Sequence, residues 1–178
     1  MSNERESAIL FFLNTCANKY NNEKIKHIEF NYDDKGNENE NRKQYSMCYN
    51  KNKPILKKYC GPDFSSHHWP SANISSFEET KKLIIIASKT DPTINKVGWF
   101  GNIHSPGTDV IEHHTRPLLK KIGDENPDLF DIFHINPING IIDDKVTNYK
   151  SFETLTKYKY LIDIGGNGYS GRLKYLLF

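Results

Sequence analysis

The stretch from Lys157 to Phe178 constrains the fold of this chain more than any other. Tyr160 to Ile164 is a short run of apolar and β-favouring residues, Gly165 to Gly171 carries four glycines, and apolar residues return at helical spacing from Arg172 onward. The pattern predicts a strand, a glycine turn and a helix. Glycines at such a corner let the backbone take positive φ and approach a ligand closely, while the first N–H groups of the following helix face whatever sits there. An anion is the favoured guest. Arg172, expected in the first helical turn, offers a planar fork of donors suited to a phosphate or carboxylate, and Ser170 offers a hydroxyl that donates or caps. A tight connection with Arg172 on a solvated face satisfies the same pattern, because the spacing is neither the Rossmann nor the P-loop one. An Arg172 turned into an internal ion pair, with the corner packed against protein, would count against the anion site.

At 178 residues, with 37% hydrophobic and 12% aromatic content, the chain can bury a core as one domain. A net charge of +2 carries no large basic excess, so nucleic acid is not an expected partner. Three cysteines, Cys16, Cys48 and Cys60, stand at unrelated spacings, which argues against a disulfide framework and against zinc. A reducing compartment suits them. Met1 to Ser7 is charged with both signs and Ala8 to Leu13 is a short apolar run, so no secretory signal is expected. No segment has the length and apolarity of a membrane span. The expected location is therefore cytoplasmic.

Along the chain, Glu4 to Tyr20 places Ile9, Leu10, Leu13 and Ala17 on one face of an amphipathic helix. Lys26 to Tyr32 alternates as a half-buried strand, and Asp33 to Arg42 is a polar loop. Gly61 to Pro70 is turn-rich, its prolines excluding a helix. Ser75 or Ser76, each with a glutamate three residues on, opens a helix through about Lys89. Ile94 to Phe100 reads as a strand closed by Gly101, and Asn102 to Asp109 as a loop. Val110 to Ile122 reads as a helix ended by Gly123, in which Pro117 suggests a start only near Arg116. Phe130 to Ile135 is a further strand, Asn136 to Asn148 a loop, and Ser151 caps a helix to about Lys157. Strands alternating with helices predict an α/β fold with a parallel sheet, whose ligands bind beyond the carboxyl ends of the strands. The corners after Phe100 and after Ile164 fall at that edge. His67 with His68, and His113 with His114, are adjacent pairs whose side chains point apart on a strand and lack an evident third ligand, so no metal is expected.

The segment Lys159-Tyr-Leu-Ile-Asp-Ile-Gly-Gly-Asn-Gly-Tyr-Ser-Gly-Arg-Leu-Lys-Tyr-Leu-Leu177 resembles the signature of glycosyltransferase family 90, which includes protein O-glucosyltransferases and capsule xylosyltransferases. The resemblance covers most of Ile28 to Phe178. It implies a GT-B-like fold with a Rossmann-type parallel sheet, an acceptor-side region over 1–90 and the start of a nucleotide-sugar-binding region over 91–178, with one compact unit as the alternative. In the family this turn and its arginine face the diphosphate of a UDP-sugar. Gly166, Asn167, Ser170, Gly171 and Arg172 would then hold the donor. Lys96-Val-Gly-Trp-Phe-Gly-Asn-Ile-His-Ser105 is similar to the family's aromatic-Arg-Gly-Ser-Arg corner, with Phe100 and Ile103 where arginines are usual, which leaves Gly101, Asn102 and Ser105 as donor-side candidates. Arg116 resembles a downstream arginine with a structural role. Pro62 to Pro70 is similar to the element that walls the sugar pocket, matching at Asp63, Phe64, Trp69 and Pro70 and departing at Ser66 and His67, which leaves Asp63, Phe64 and Trp69 as sugar-side candidates. Phe30-Asn-Tyr-Asp-Asp34 resembles the family's base-bearing turn and aligns Asp34 with the catalytic aspartate, although two solvated loop aspartates would look the same.

The resemblance thus implies inverting transfer of a sugar from UDP to a hydroxyl acceptor, without metal or other cofactor. Family members run on well past Phe178, so the donor half is expected to be incomplete, with a second polypeptide as the partner that would complete it. The resemblance leads one to expect relatives among the signal-less versions encoded by large DNA viruses. A catalytically inactive binding or assembly module on the same fold is the alternative.

Overall fold

The computed structural model describes residues 2–20, 28–33, 38–104, 110–165 and 170–178, without the side chains of 2, 3, 20 and 110–114. The chain forms two compact units, Met1–Trp69 and Pro70–Phe178.

In the first unit, helix α1 spans Ser2–Tyr20 and packs on a 3₁₀ turn at Phe64–Ser66. Ala8 and Ile9 form its buried face, while Leu10, expected beside Ile9, is half exposed. Arg5 lies over the Phe64 ring, 5.0 Å from its centroid, and donates to the Tyr32 carbonyl. Strands β1 (Phe30–Asn31) and β2 (Tyr45–Ser46) pair in parallel. The predicted strand at Lys26 to Tyr32 is thus two residues long among the described residues.

The second unit is mixed α/β around a three-stranded parallel sheet. Its strands are β3 (Ile94–Gly101), β4 (Phe130–His134) and β5 (Tyr158–Leu161), in the order β4-β3-β5. β3 is central, and Trp99 stands opposite Ile132 and Phe100 opposite Phe133. Successive side chains on a strand leave opposite faces, and the central strand is covered on both over its buried stretch from Gly98 to Phe100. Trp99 and Ile132 pack with Leu119 of helix α3 (Val110–Glu125) on one face. Phe100 packs with Tyr158 and with Leu155 of helix α4 (Phe152–Leu155) on the other.

Helix α2 (Phe77–Ala87), which the sequence reading grouped with residues 1–90, packs on α4 in this unit. Of the two candidate capping serines, Ser76 is the one used, its Oγ accepting from the Glu79 N–H at 3.3 Å. The short 3₁₀ turn Leu173–Leu177 closes the same face. There Tyr175, 1% exposed, stacks on Phe152 at 4.6 Å and meets Phe77 edge-on at 5.4 Å.

Three boundaries differ from the sequence reading. Helix α3 runs through Pro117 from Val110 and does not stop at Gly123. Gly123 sits where α3 meets β4, and a Cβ there would lie 2.5 Å from Ile132 Cγ1 and 2.8 Å from its Cβ, so its role is close approach rather than termination. β5 begins at Tyr158 rather than Tyr160, because Tyr158 is anchored by its ring against Phe100 and by its hydroxyl, which donates to Asp131 Oδ2 at 2.9 Å. Lys96 donates to the other oxygen of the same carboxylate at 3.0 Å.

Gly123→Ala gains about 1 kcal/mol of helix propensity but forces overpacking costing about 1–3 kcal/mol, so urea unfolding should find the variant less stable. Burial first, then the hydrogen bond to Asp131 and its charge, push the Tyr158 hydroxyl up to about 12. A raised phenol stabilises the fold fully below the unfolded value of 10.0, and that contribution is lost as pH rises toward about 12. The stability gap between wild type and Tyr158→Phe should therefore close over that interval in pH-dependent denaturation.

Candidate functional site: a guanidinium pair at the carboxyl edge of the sheet

β3 comes first in the chain, β4 joins it on one side and β5 on the other, so the order of the strands along the chain diverges between β3 and β5. In open parallel sheets that divergence opens the crevice where ligands bind. Two guanidinium groups meet there. Arg172 Nη1 donates to the Phe100 carbonyl at 2.7 Å, and its Nη2 to Asp163 Oδ1 at 3.3 Å. Arg116, from α3, donates through Nη1 to the Asn102 carbonyl at 2.7 Å and through Nη2 to the Gly165 carbonyl. Both lie over Trp99, at 5.3 Å for Arg172 and 5.7 Å for Arg116 from the ring centroid.

The corner is largely enclosed. Side-chain exposure is 22% for Arg172 and 14% for Asp163, and Trp99 is 2% exposed. Burial holds the Arg172 guanidinium below its ordinary value, Asp163 opposes that, and the nearby charge of Arg116 adds to it. Gly101 makes the approach possible, since a Cβ there would stand 2.8 Å from Trp99 Cζ2 and 3.1 Å from Arg172 Nη1. Among the described residues, Trp99 Nε1 is the one buried side-chain polar atom without a hydrogen-bond partner.

The rim is made by strand ends. Ile103 donates its N–H to His134 Nδ1 at 3.3 Å, which leaves Nε2 to carry the ring proton in neutral His134. His104 meets that ring edge-on at 5.1 Å, and its own N–H is taken by Asn102 Oδ1 at 2.8 Å.

Of the donor-side candidates, Gly101, Asn102, Ser170, Gly171 and Arg172 belong to this edge. Ser105, Gly166, Asn167 and the catalytic candidate Asp34 lie outside the described residues. The expected helix after the glycine turn is a 3₁₀ turn of five residues, and Arg172 precedes it without capping it through its side chain. A turn that short aligns too few peptide dipoles to serve as an anion-binding helix terminus. Ser170 does not cap either: its hydroxyl donates to Asp163 Oδ1 at 2.8 Å. Both side chains expected to face a ligand are thus turned onto Asp163, the arrangement that counts against an open phosphate grip.

The sugar-side candidates belong to the first unit. The Asp63 carboxylate accepts from Ser65 N at 3.0 Å and from Ser65 Oγ at 2.9 Å, capping the 3₁₀ turn. Phe64 is buried, and Trp69 meets it edge-on at 5.8 Å. His67 stacks flat on Phe11 at 3.8 Å, while His68 Nε2 pairs with Ser7 Oγ at 3.2 Å. Among the described residues no three His, Cys, Asp or Glu side chains gather as a metal site requires, and no helix is long and apolar enough to cross a membrane.

Sequence reasoning missed Asp163 and His134 and gave Arg116 only a structural part. For Asp163 a signal existed, a lone carboxylate inside the apolar run Leu161 to Ile164. No protein-family model matches this chain, and no curated protein or solved structure matches it.

Arg172→Ala removes the bond to Phe100 and leaves the Asp163 carboxylate mostly buried without its cation, so urea denaturation should lose about 3 kcal/mol. Adding Asp163→Ala should recover part of that loss, and the double-mutant cycle gives the coupling.

Proposed function

We propose that this chain is a glycosyltransferase-like module, with a Rossmann-type sheet, that takes the diphosphate of a nucleotide sugar at the carboxyl edge of β3 and β5. The observation carrying this reading is the convergence of Arg116 and Arg172 on Trp99 at the divergence point of a parallel sheet. Guanidinium forks suit phosphate oxygens in two-point contact, and a largely enclosed corner strengthens each such bond. The residues that carry the resemblance to glycosyltransferase family 90, from Lys159 to Leu177, supply one half of this corner. The described residues engage two of the five N–H donors of Arg172, so its fork keeps donors for a third acceptor. In the transferase reading the guanidiniums stabilise charge building on the leaving diphosphate.

The engagement of both Ser170 and Arg172 with Asp163 favours a second reading, an inactive binding or assembly module in which the same ion pair serves only as a strut. Calorimetric titration with UDP separates them. The transferase-like reading expects saturable binding weakened about tenfold or more by Arg172→Lys, which keeps the charge but loses the fork. Absence of heat at millimolar UDP, with the protein folded by circular dichroism, supports the strut.

A further inference from the structure

We infer that Asp163 is a resident counter-ion that closes the corner, and that an incoming diphosphate takes its place on Arg172 and Ser170. This rests on the nucleotide-sugar reading of the corner. One carboxylate oxygen, Asp163 Oδ1, accepts from Ser170 Oγ at 2.8 Å and from Arg172 Nη2 at 3.3 Å. Those are two donors that a phosphate oxygen would use. A phosphate oxygen and a carboxylate oxygen present the same acceptor chemistry to a guanidinium, so the two anions compete for one position.

The ion pair at 3.3 Å is longer than the usual charge-assisted bond of about 2.7–2.9 Å, whereas the anchor from Nη1 to the Phe100 carbonyl is 2.7 Å. Exchange at Nη2 therefore leaves the guanidinium held over Trp99 by the Phe100 bond. The opposing effect of Asp163 on the lowered Arg172 guanidinium accords with the carboxylate as its local counter-charge. The consequence is regulatory: affinity at this edge is set by how firmly the chain's own carboxylate holds the donors.

The test is calorimetric titration of the full chain with inorganic pyrophosphate, comparing wild type with Asp163→Asn and with Asp124→Asn. Asparagine keeps the shape of Asp163 and an acceptor for Ser170 but removes the competing charge. Asp124, on the exposed flank of α3 beside Lys120, changes net charge equally without touching the corner. The inference expects Asp163→Asn to tighten pyrophosphate by about tenfold or more, the scale of one charge-assisted hydrogen bond, with Asp124→Asn unchanged. If wild type binds and Asp163→Asn binds no better, or if Asp124→Asn tightens binding as much, the counter-ion role is overturned while the nucleotide reading stands. If neither wild type nor Asp163→Asn binds, both fall. Should Asp163→Asn fail to fold, arginine side-chain NMR of the wild type decides. Pyrophosphate should shift the Arg172 guanidinium resonances, assigned by their loss in Arg172→Lys, and unshifted resonances at millimolar pyrophosphate overturn the inference.

Discussion

The second unit depends on one side chain reaching across the sheet. Arg172 follows the β5 connection, yet its guanidinium bonds the carbonyl of Phe100 at the end of β3 and the carboxylate of Asp163 just beyond β5. Parallel strands joined by crossovers have no hairpin to fix their carboxyl ends, so those ends must be held by side chains or by connecting segments. Arg116 makes the companion span, from the Asn102 carbonyl to that of Gly165. Two planar cations thus bridge the same pair of strand ends, and the Trp99 ring beneath them spares the sheet the cost of burying guanidinium faces against aliphatic groups.

Trp99 links this edge to the core. Its ring fills the α3 face of the sheet beside Leu119 and Ile132, while its upper surface carries the arginines. Phe100, the next residue, turns to the other face and packs under α4 with Tyr158. Neighbouring positions of β3 therefore anchor both layers, and the carbonyl between Phe100 and Gly101 is the one Arg172 grips. Helix packing on both faces and the geometry of the corner are thereby coupled through two residues.

Much of the layout was legible because it rests on local periodicity and capping. The β3 and β4 strands, the α2 start at Ser76 and the parallel α/β class follow from apolar runs, from a capping box and from alternation of element types. What escaped were features fixed by distant contacts. Gly123 looks like a stop signal, but Ile132 on β4 determines its meaning. Tyr158, set between Lys157 and Lys159, falls outside the apolar run from Tyr160, and its place in the strand is fixed by Asp131, distant in the chain, which receives its hydroxyl. The last segment has helical spacing but folds as a 3₁₀ turn, since Tyr175 is drawn onto Phe152 and Phe77. Arg172 was read from the glycines around it, whereas its direction is set by a carboxylate nine residues back.

That last reversal bears on how a corner enclosing two guanidiniums is kept from disrupting the fold around it. Burial disfavours the charge of the Arg172 guanidinium most, and repulsion from the neighbouring Arg116 adds to the cost, as the depressed Arg172 value reflects. A corner built only of cations would open toward solvent. Asp163 supplies the negative charge that lets the arginines remain packed on Trp99, and it does so from a site that Ser170 also bonds. Strut and anion site are then two outcomes of one electrostatic requirement: an enclosed pair of cations needs an anion. In this structure the chain's own Asp163 meets that requirement, and any ligand phosphate entering the corner has to match it at the same donors.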